Sequence, residues 1–235
     1  MGFKATPTPT PPSTSRQAAP ALRAVVFDFD GVVLESAGIK TAAFVELFAH
    51  LAPAQVAAVR AHHQANIGIS RFKKFEWIYA TLLGRPLPDD ESRRLGERFS
   101  QLALERVLAA PFVPGAKEAL DELRHDTLLF VASGTPQEEL DRIVDARGLR
   151  GHFREVWGSP REKVAIVTDV LARFALAPGN VLFVGDGPSD HRAAVGAGVH
   201  FLARSTPEHR AAWEAAGVRR VDDLRGLSEL VRSWA

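Results

Sequence analysis

Ala24-Val25-Val26-Phe27-Asp28-Phe29-Asp30-Gly31-Val32-Val33 is the stretch on which the fold turns. Its first four residues are continuously apolar and favour extended backbone, as a strand buried on both faces of a parallel sheet requires. Two carboxylates follow at the C-terminal end of that strand, where open α/β sheets bind ligands. Alternation along a strand sends residues i and i+2 to one side, so Asp28 and Asp30 share a site. Gly31 lets the chain turn and brings backbone close to whatever binds there.

Working outward, similar apolar runs recur at 128–132, 181–184 and 199–202, with a weaker one at 153–157, and helical patterns separate them. That alternation predicts an α/β fold with a parallel sheet. Between the first two runs, roughly a hundred residues show helical spacing at about 40–51, 54–65, 71–83 and 89–109, against the ~30 residues of an ordinary strand-helix-strand unit. The excess predicts an inserted helical cap, residues 38–110, within a core of residues 22–37 and 111–235. Residues 1–21, with Thr6-Pro7-Thr8-Pro9-Thr10-Pro11-Pro12, read as a disordered tail. Met1-Gly2-Phe3-Lys4-Ala5-Thr6 formally fits an N-myristoylation pattern, but a plain tail is the expectation.

The composition narrows the function. Of 235 residues, 46% are hydrophobic and 24% charged, the balance of a globular protein with a sizeable core. A formal net charge of +1 gives no global field to draw nucleic acid or an anionic membrane. Trp77, Tyr79, Trp157, Trp213 and Trp234 are not interleaved with basic residues, so packing is expected of them rather than base stacking. The lack of cysteine excludes disulfides, thiolate nucleophiles and zinc-thiolate sites, and fits a cytoplasmic protein. No apolar run approaches the ~18 residues of a membrane span. A soluble monomer or homodimer, with no nucleic-acid or membrane partner, is expected.

A second acidic pair, Asp186 and Asp190, follows another buried run in Val184-Gly185-Asp186-Gly187-Pro188-Ser189-Asp190, with Pro188 suited to the first turn of a helix. In a parallel sheet these strand ends share an edge, and four crowded carboxylates need a cation to offset them. An all-oxygen ligand set selects a hard ion, magnesium first. Val131-Ala132-Ser133-Gly134-Thr135-Pro136 supplies the opposite polarity: Ser133 and the following amides can hold an anion at a helix start, and Thr135 with Glu138 fits a capping box. Gly158-Ser159-Pro160-Arg161-Glu162-Lys163 reads as another helix start, with Ser159 as cap, Pro160 first and Lys163 in the first turn, where it can present a point charge to a phosphoryl oxygen.

In order and spacing, Asp28-x-Asp30-Gly31-Val32, Ser133-Gly134-Thr135, Lys163 and the 185–190 segment resemble the four motifs of the haloacid dehalogenase-like hydrolase superfamily, over residues 22 to 235. The helical insertion is similar to the superfamily's C1 cap, as in phosphoglycolate phosphatases and β-phosphoglucomutases. The resemblance implies a Rossmann-like core, Asp28 as a nucleophile forming an aspartyl-phosphate, and Asp30 as general acid and then base. It further implies magnesium held by Asp28, the backbone carbonyl of Asp30 and Asp186, with Asp190 direct or through water, and phosphoryl oxygens held by Ser133, Gly134 and Lys163. The dehalogenase branch lacks the second aspartate of the first motif, so Asp30 favours phosphoryl transfer. Hexose-phosphate mutases tend to carry histidine where Lys40 sits, which weakens a mutase reading. Glu35, where many relatives have aspartate, is expected at the hinge or near solvent.

Within the cap, Asn66-Ile67-Gly68-Ile69-Ser70-Arg71-Phe72-Lys73-Lys74 puts a glycine-containing loop before a basic helix. Lys40, Asn66, Arg71 and Lys74 are the candidate specificity residues. His62 and His63 lack the spacing of helical metal ligands and are expected at the surface or facing the hinge. The function expected is a magnesium-dependent phosphatase for a small phosphorylated metabolite, a sugar phosphate or phosphoglycolate-like. The alternatives are a β-phosphoglucomutase-type phosphomutase or a non-catalytic binding protein that keeps the fold.

Overall fold

The computed structural model describes residues 22–207 and 209–234; the tail expected over residues 1–21, with its acylation pattern, lies outside them. Six parallel strands form one sheet: β1 (Ala24–Phe27), β2 (Leu128–Pro136), β3 (Glu155–Ser159), β4 (Val181–Gly185), β5 (His200–Arg204) and β6 (Arg220–Val221), in the order β3-β2-β1-β4-β5-β6. Helices fill the connections: α1 (Ala37–Leu47), α2 (Pro53–Ala65), α3 (Arg71–Trp77), α4 (Asp89–Leu108), α5 (Ala116–Leu123), α6 (Gln137–Ala146), α7 (Lys163–Arg173), α8 (Pro188–Ala197), α9 (Arg210–Ala215) and α10 (Leu227–Arg232). None of these helices is long and apolar enough to cross a membrane.

Strand β1 has no exposed face, because alternate residues feed two cores. Val25 and Phe27 pack with Leu120, Leu140 and Ile143, whereas Ala24 and Val26 pack with Ile166, Val167 and Ala194 on the other side. This two-sided burial is why the run is continuously apolar. A third core belongs to the insertion alone: Phe44, Phe48, Val59, Phe75, Ile78 and Phe99 close α1–α4 around one another. Burying each such side chain contributes about 1.5–3 kcal/mol, so the cap has a core of its own rather than borrowing one from the sheet.

Register fixes the functional edge. Phe27 pairs with Val131 on one side and Val184 on the other, so the residues just after β1 and β4 emerge together. The connections run in opposite directions from β1 and β4, which makes this the topological switch point where such sheets bind ligands. The two crossings between core and cap lie side by side: Glu35 N–H donates to Pro111 O (2.9 Å), Val113 N–H donates to Val33 O (3.1 Å), and Leu34 bridges Phe112. Glu35 is at the hinge, as expected, and there accepts from Arg204 Nη2 at 2.5 Å.

Local helix chemistry corrects two expectations. Strand β2 continues through Pro136 with a register shift after Ala132, so α6 starts at Gln137 and no Thr135–Glu138 capping box forms. Helix α7 starts at Lys163 with Glu162 as its N-cap, which leaves Ser159 and Pro160 upstream of the helix. Both hydroxyl residues belong to the strands, Thr135 to β2 and Ser159 to β3. Pro188, by contrast, takes the first position of α8, after Gly187.

Candidate active site

Asp28, Asp186 and Asp190 are buried with carboxylate oxygens within 4.8 Å of one another. Among the described residues, Lys163 is the cation that touches them, with Nζ 2.9 Å from Asp28 Oδ1 and 2.6 Å from Asp190 Oδ1. Asp190 Oδ2 accepts from the Gly187 amide at 3.0 Å, so both its oxygens are engaged. Asp28 Oδ1 also takes the Phe29 amide (2.7 Å). Asp28 Oδ2 and both Asp186 oxygens have no hydrogen-bond partner.

Burial pushes the Asp28 carboxyl up to about 7: Lys163 pulls it down, and Asp190 and Asp30 add to the rise. Burial, then Asp28 and Asp190, push Asp186 well above the usual carboxylate range. Burial also opposes the charge on Lys163, but Asp190 and Asp28 outweigh it and hold the ammonium protonated. Three orphaned oxygens converging from buried acids are costly unless a cation meets them, and their all-oxygen chemistry fits a hard divalent ion. The turn at Gly31 (φ +81°) lies so close that a Cβ there would be 2.2 Å from Asp186 Oδ2, which is why the motif has glycine at this point.

This cluster has a pH-dependent consequence. The folded protein keeps the Asp28 proton up to about 7, whereas the ordinary carboxyl value is 3.8. Stability from this group is therefore full below the lower value and is lost as pH rises through the higher one. A divalent ion held by these acids would favour the deprotonated form and offset that loss. Magnesium is expected to raise the melting temperature over an EDTA control more at about pH 8 than at about pH 5.5, by differential scanning fluorimetry. An equal gain at both pH values would contradict binding of the ion at these acids.

Asp30 points the other way. Its Oδ1 accepts from Ser36 Oγ (2.6 Å), and its Oδ2 accepts from Thr135 Oγ1 (2.9 Å) and pairs with the Lys40 ammonium. Burial pushes this carboxyl up, but Lys40 and the bonds from Lys40, Ser36 and Thr135 outweigh it and hold Asp30 below the usual range. Lys40 Nζ also reaches Thr135 Oγ1 at 2.5 Å, so Lys40 sits against the proposed proton-handling acid. Ser133 Oγ accepts the Thr135 amide (3.1 Å), which takes one of the amides expected to face an anion.

Above these groups the cap closes a cavity of about 40 Å³, lined by Asp28, Asp30, Lys40, His63, Arg71 and Lys74 among others. Arg71 and Lys74, on α3, are 5% and 3% exposed, so neither is a solvated helix charge. Arg71 donates to Glu139 of α6 (2.6 Å) and to Ser100 of α4 (2.8 Å), which ties cap to core beside the cavity. Asn66 is a correction: it ends α2, and its Nδ2 turns back to His62 O at 2.9 Å, satisfying a helix-terminal carbonyl instead of facing the cavity. His63 is another. It is buried against Phe44 with ring centroids 4.5 Å apart, and His62 stacks on Trp77 at 3.7 Å.

The cap loop rests on the core through backbone. A Cβ on Gly134 would be 2.5 Å from Gly68 O, and one on Gly68 (φ +82°) would be 2.3 Å from Ser189 Oγ and 2.9 Å from Lys163 Nζ. Ser189 Oγ donates to Ile67 O at 2.7 Å. Sequence reasoning missed Ser36, Glu139, Ser189 and the inward turn of Thr135. Only Thr135 carried a signal, since it shares a strand side with Ser133 by alternation.

Comparison with known proteins agrees with this geometry. Residues 22–198 match the profile of the haloacid dehalogenase-like hydrolases. A phosphoglycolate phosphatase from Mannheimia succiniciproducens is 27% identical over 183 residues, covering 73% of this chain and 80% of its own. Among solved structures, a β-phosphoglucomutase candidate from Bacteroides vulgatus superposes with a TM-score of 0.74 at 17% identity, covering 90% of this chain and 88% of its own. A predicted phosphoglycolate phosphatase from Haemophilus somnus gives 0.66 at 20% identity, covering 89% and 97%. With its acidic cluster at the switch point of a capped parallel sheet and this profile match across most of its length, the chain belongs to the haloacid dehalogenase-like hydrolase family.

Proposed function

We propose that the protein is a magnesium-dependent phosphatase for a small phosphorylated metabolite, acting through a phosphorylated Asp28. The observation that carries this reading is the unpartnered, buried Asp28 Oδ2 beside two unpartnered Asp186 oxygens, at the mouth of a cationic cavity. The chain is a phosphoric monoester hydrolase of its family, and its phosphoglycolate phosphatase relatives support a small anionic substrate.

In the first step an Asp28 oxygen attacks phosphorus and the ester P–O bond breaks, while Asp30 gives a proton to the leaving oxygen. The Lys40 contact keeps Asp30 ionised in the free site. An arriving phosphate dianion shifts Asp30 toward its protonated form, since a like charge nearby disfavours the carboxylate. In the second step Asp30 takes a proton from the water that cleaves the acyl phosphate, which frees phosphate and restores Asp28. Ser133, Gly134 and Lys163 would hold the phosphoryl oxygens. Asp28, the backbone carbonyl of Asp30 and Asp186 would hold magnesium. Asp190, with both oxygens engaged, would act on the ion through water and by fixing Lys163. Bound magnesium would supply the charge neutralisation that lets two anions meet. Residues 38–110 act as the cap, and Lys40, Arg71 and Lys74 as its substrate-facing cations.

The test is phosphate release from a panel of sugar, organic-acid, nucleotide and aryl phosphate monoesters, with magnesium and with EDTA. Release from at least one small ester, suppressed by EDTA and without isomer interconversion, is expected. Silence across the panel would favour a binding protein, and isomer exchange without release would favour a mutase.

A further inference from the structure

Lys74, unlike Lys40 and Arg71, pairs with no carboxylate among the described residues. It is 3% exposed and lines the cavity above Asp28 and Asp30. Its Nζ lies 3.1 Å from His63 Nδ1 and 5.3 Å from the centroid of Phe44. Asp30, the acid whose charge acts on Lys74, is taken by Lys40. Burial pushes the Lys74 ammonium down to about 7; Lys40, Lys163 and Arg71 add to the fall, and Asp30 opposes it. Burial and Lys74 push His63 down to about 2, so its ring is neutral and its Nδ1 accepts from Lys74. His63 thus aims the ammonium without neutralising it. A buried cation of this kind is costly until an anion meets it.

The space in front of Lys74 limits what that anion can be. The cavity measures about 40 Å³, with apolar walls from Ala37, Phe44, Ile67, Ile69 and Phe99. One water needs about 10–15 Å³ in the same measure, so there is room for only a few atoms. The same cavity reaches Asp28, where the phosphoryl group would sit, so what remains beside Lys74 favours a carboxylate on a short chain over a hexose or a second phosphate.

We propose that Lys74 is a specificity-determining residue that binds a carboxylate on a short leaving group, that the substrate class is therefore phosphorylated short hydroxy acids, and that His63 is the positioning residue for Lys74. This rests on the phosphatase reading and deepens it by naming the substrate class. The experiment compares kcat/KM for 2-phosphoglycolate and for ethyl phosphate, in which a methyl group replaces the carboxylate. Wild-type protein is expected to prefer the carboxylate ester, and Lys74→Met to reduce that ratio roughly a hundredfold, as for a lost charge-assisted hydrogen bond. His63→Leu is expected to reduce the ratio as well, and His63→Asn, whose amide oxygen stands near the place of Nδ1, to restore most of it. A rescue by Asn separates aiming of Lys74 from mere packing. The proposal is overturned if wild-type protein shows no preference, if Lys74→Met keeps it, if Leu and Asn at position 63 behave alike, or if a bisphosphate is preferred. Failure of the phosphatase reading looks different: wild-type protein then releases phosphate from neither ester nor from an aryl phosphate, and both readings fall together.

Discussion

Asp28→Asn is expected to lower magnesium-dependent hydrolysis of an aryl phosphate on the order of 10⁴-fold or more, with the melting temperature unchanged or raised. The two halves of that expectation have one cause. The amide matches the carboxylate in shape but is a poor nucleophile toward phosphorus, so covalent chemistry stops. Asp28 is also crowded by Asp186 and Asp190, and burial pushes its carboxyl up to about 7. Removing one negative charge relieves that crowding and leaves Lys163 paired with Asp190. A structural acid would behave in the opposite way, with stability lost on substitution. Activity by phosphate release and stability by calorimetry on the same sample decide the matter, and a variant with wild-type turnover removes Asp28 from the mechanism.

Lys163→Met carries the second large effect, and here stability falls. Lys163 bridges Asp28 and Asp190 at 2.9 and 2.6 Å from a 7% exposed position, so its loss strands three buried carboxylates without a cation. Breaking a buried pair by removing one partner costs about 3–5 kcal/mol, because the remaining charge has nothing to replace its solvation. For a chain of this size that is a fall of roughly 10 °C in melting temperature. Magnesium returns part of it by supplying a cation to the same cluster, whereas EDTA does not. Turnover falls as well, since the same ammonium would hold a phosphoryl oxygen. A variant as stable as wild type at about pH 8 in EDTA would show that the cluster is not held together by this charge.

How much of this could be read from the sequence depends on where each residue takes its instructions. Strands β1 and β4 are buried on both faces, so their apolar runs announce them and fix the acids that follow. The cap helices also announced themselves, because apolar residues recur at helical spacing through the insertion, as at Phe44, Leu47, Phe48 and Leu51, and Phe44, Phe75 and Phe99 from three helices meet in a core of their own. Thr135 was misread because a threonine before a proline and an acidic helix start looks like a cap, and only the neighbouring strand shows that Asp30 claims its hydroxyl. Asn66 failed for the converse reason, since a polar residue in a loop looks free to face a ligand although the end of its own helix needs it. His63 and Lys74 stand on different helices, and no local pattern states that they meet. Glu139 and Arg71 meet across the cap–core boundary in the same way. Local periodicity records which face of an element is buried, and it is silent on what that face is buried against.

The contact between Gly68 and Gly134 bears on how such an enzyme can acquire a new substrate. The lid meets the body there through main-chain atoms, with no room for a side chain on either partner. That contact is insensitive to the identity of the side chains around it, so Ile69 and Lys74 can be exchanged while it stays the same, whereas Arg71 is itself a tie to Glu139 of the body. A library that randomises those two positions and leaves Arg71 and the two glycines alone would sample new preferences without first having to rebuild the door.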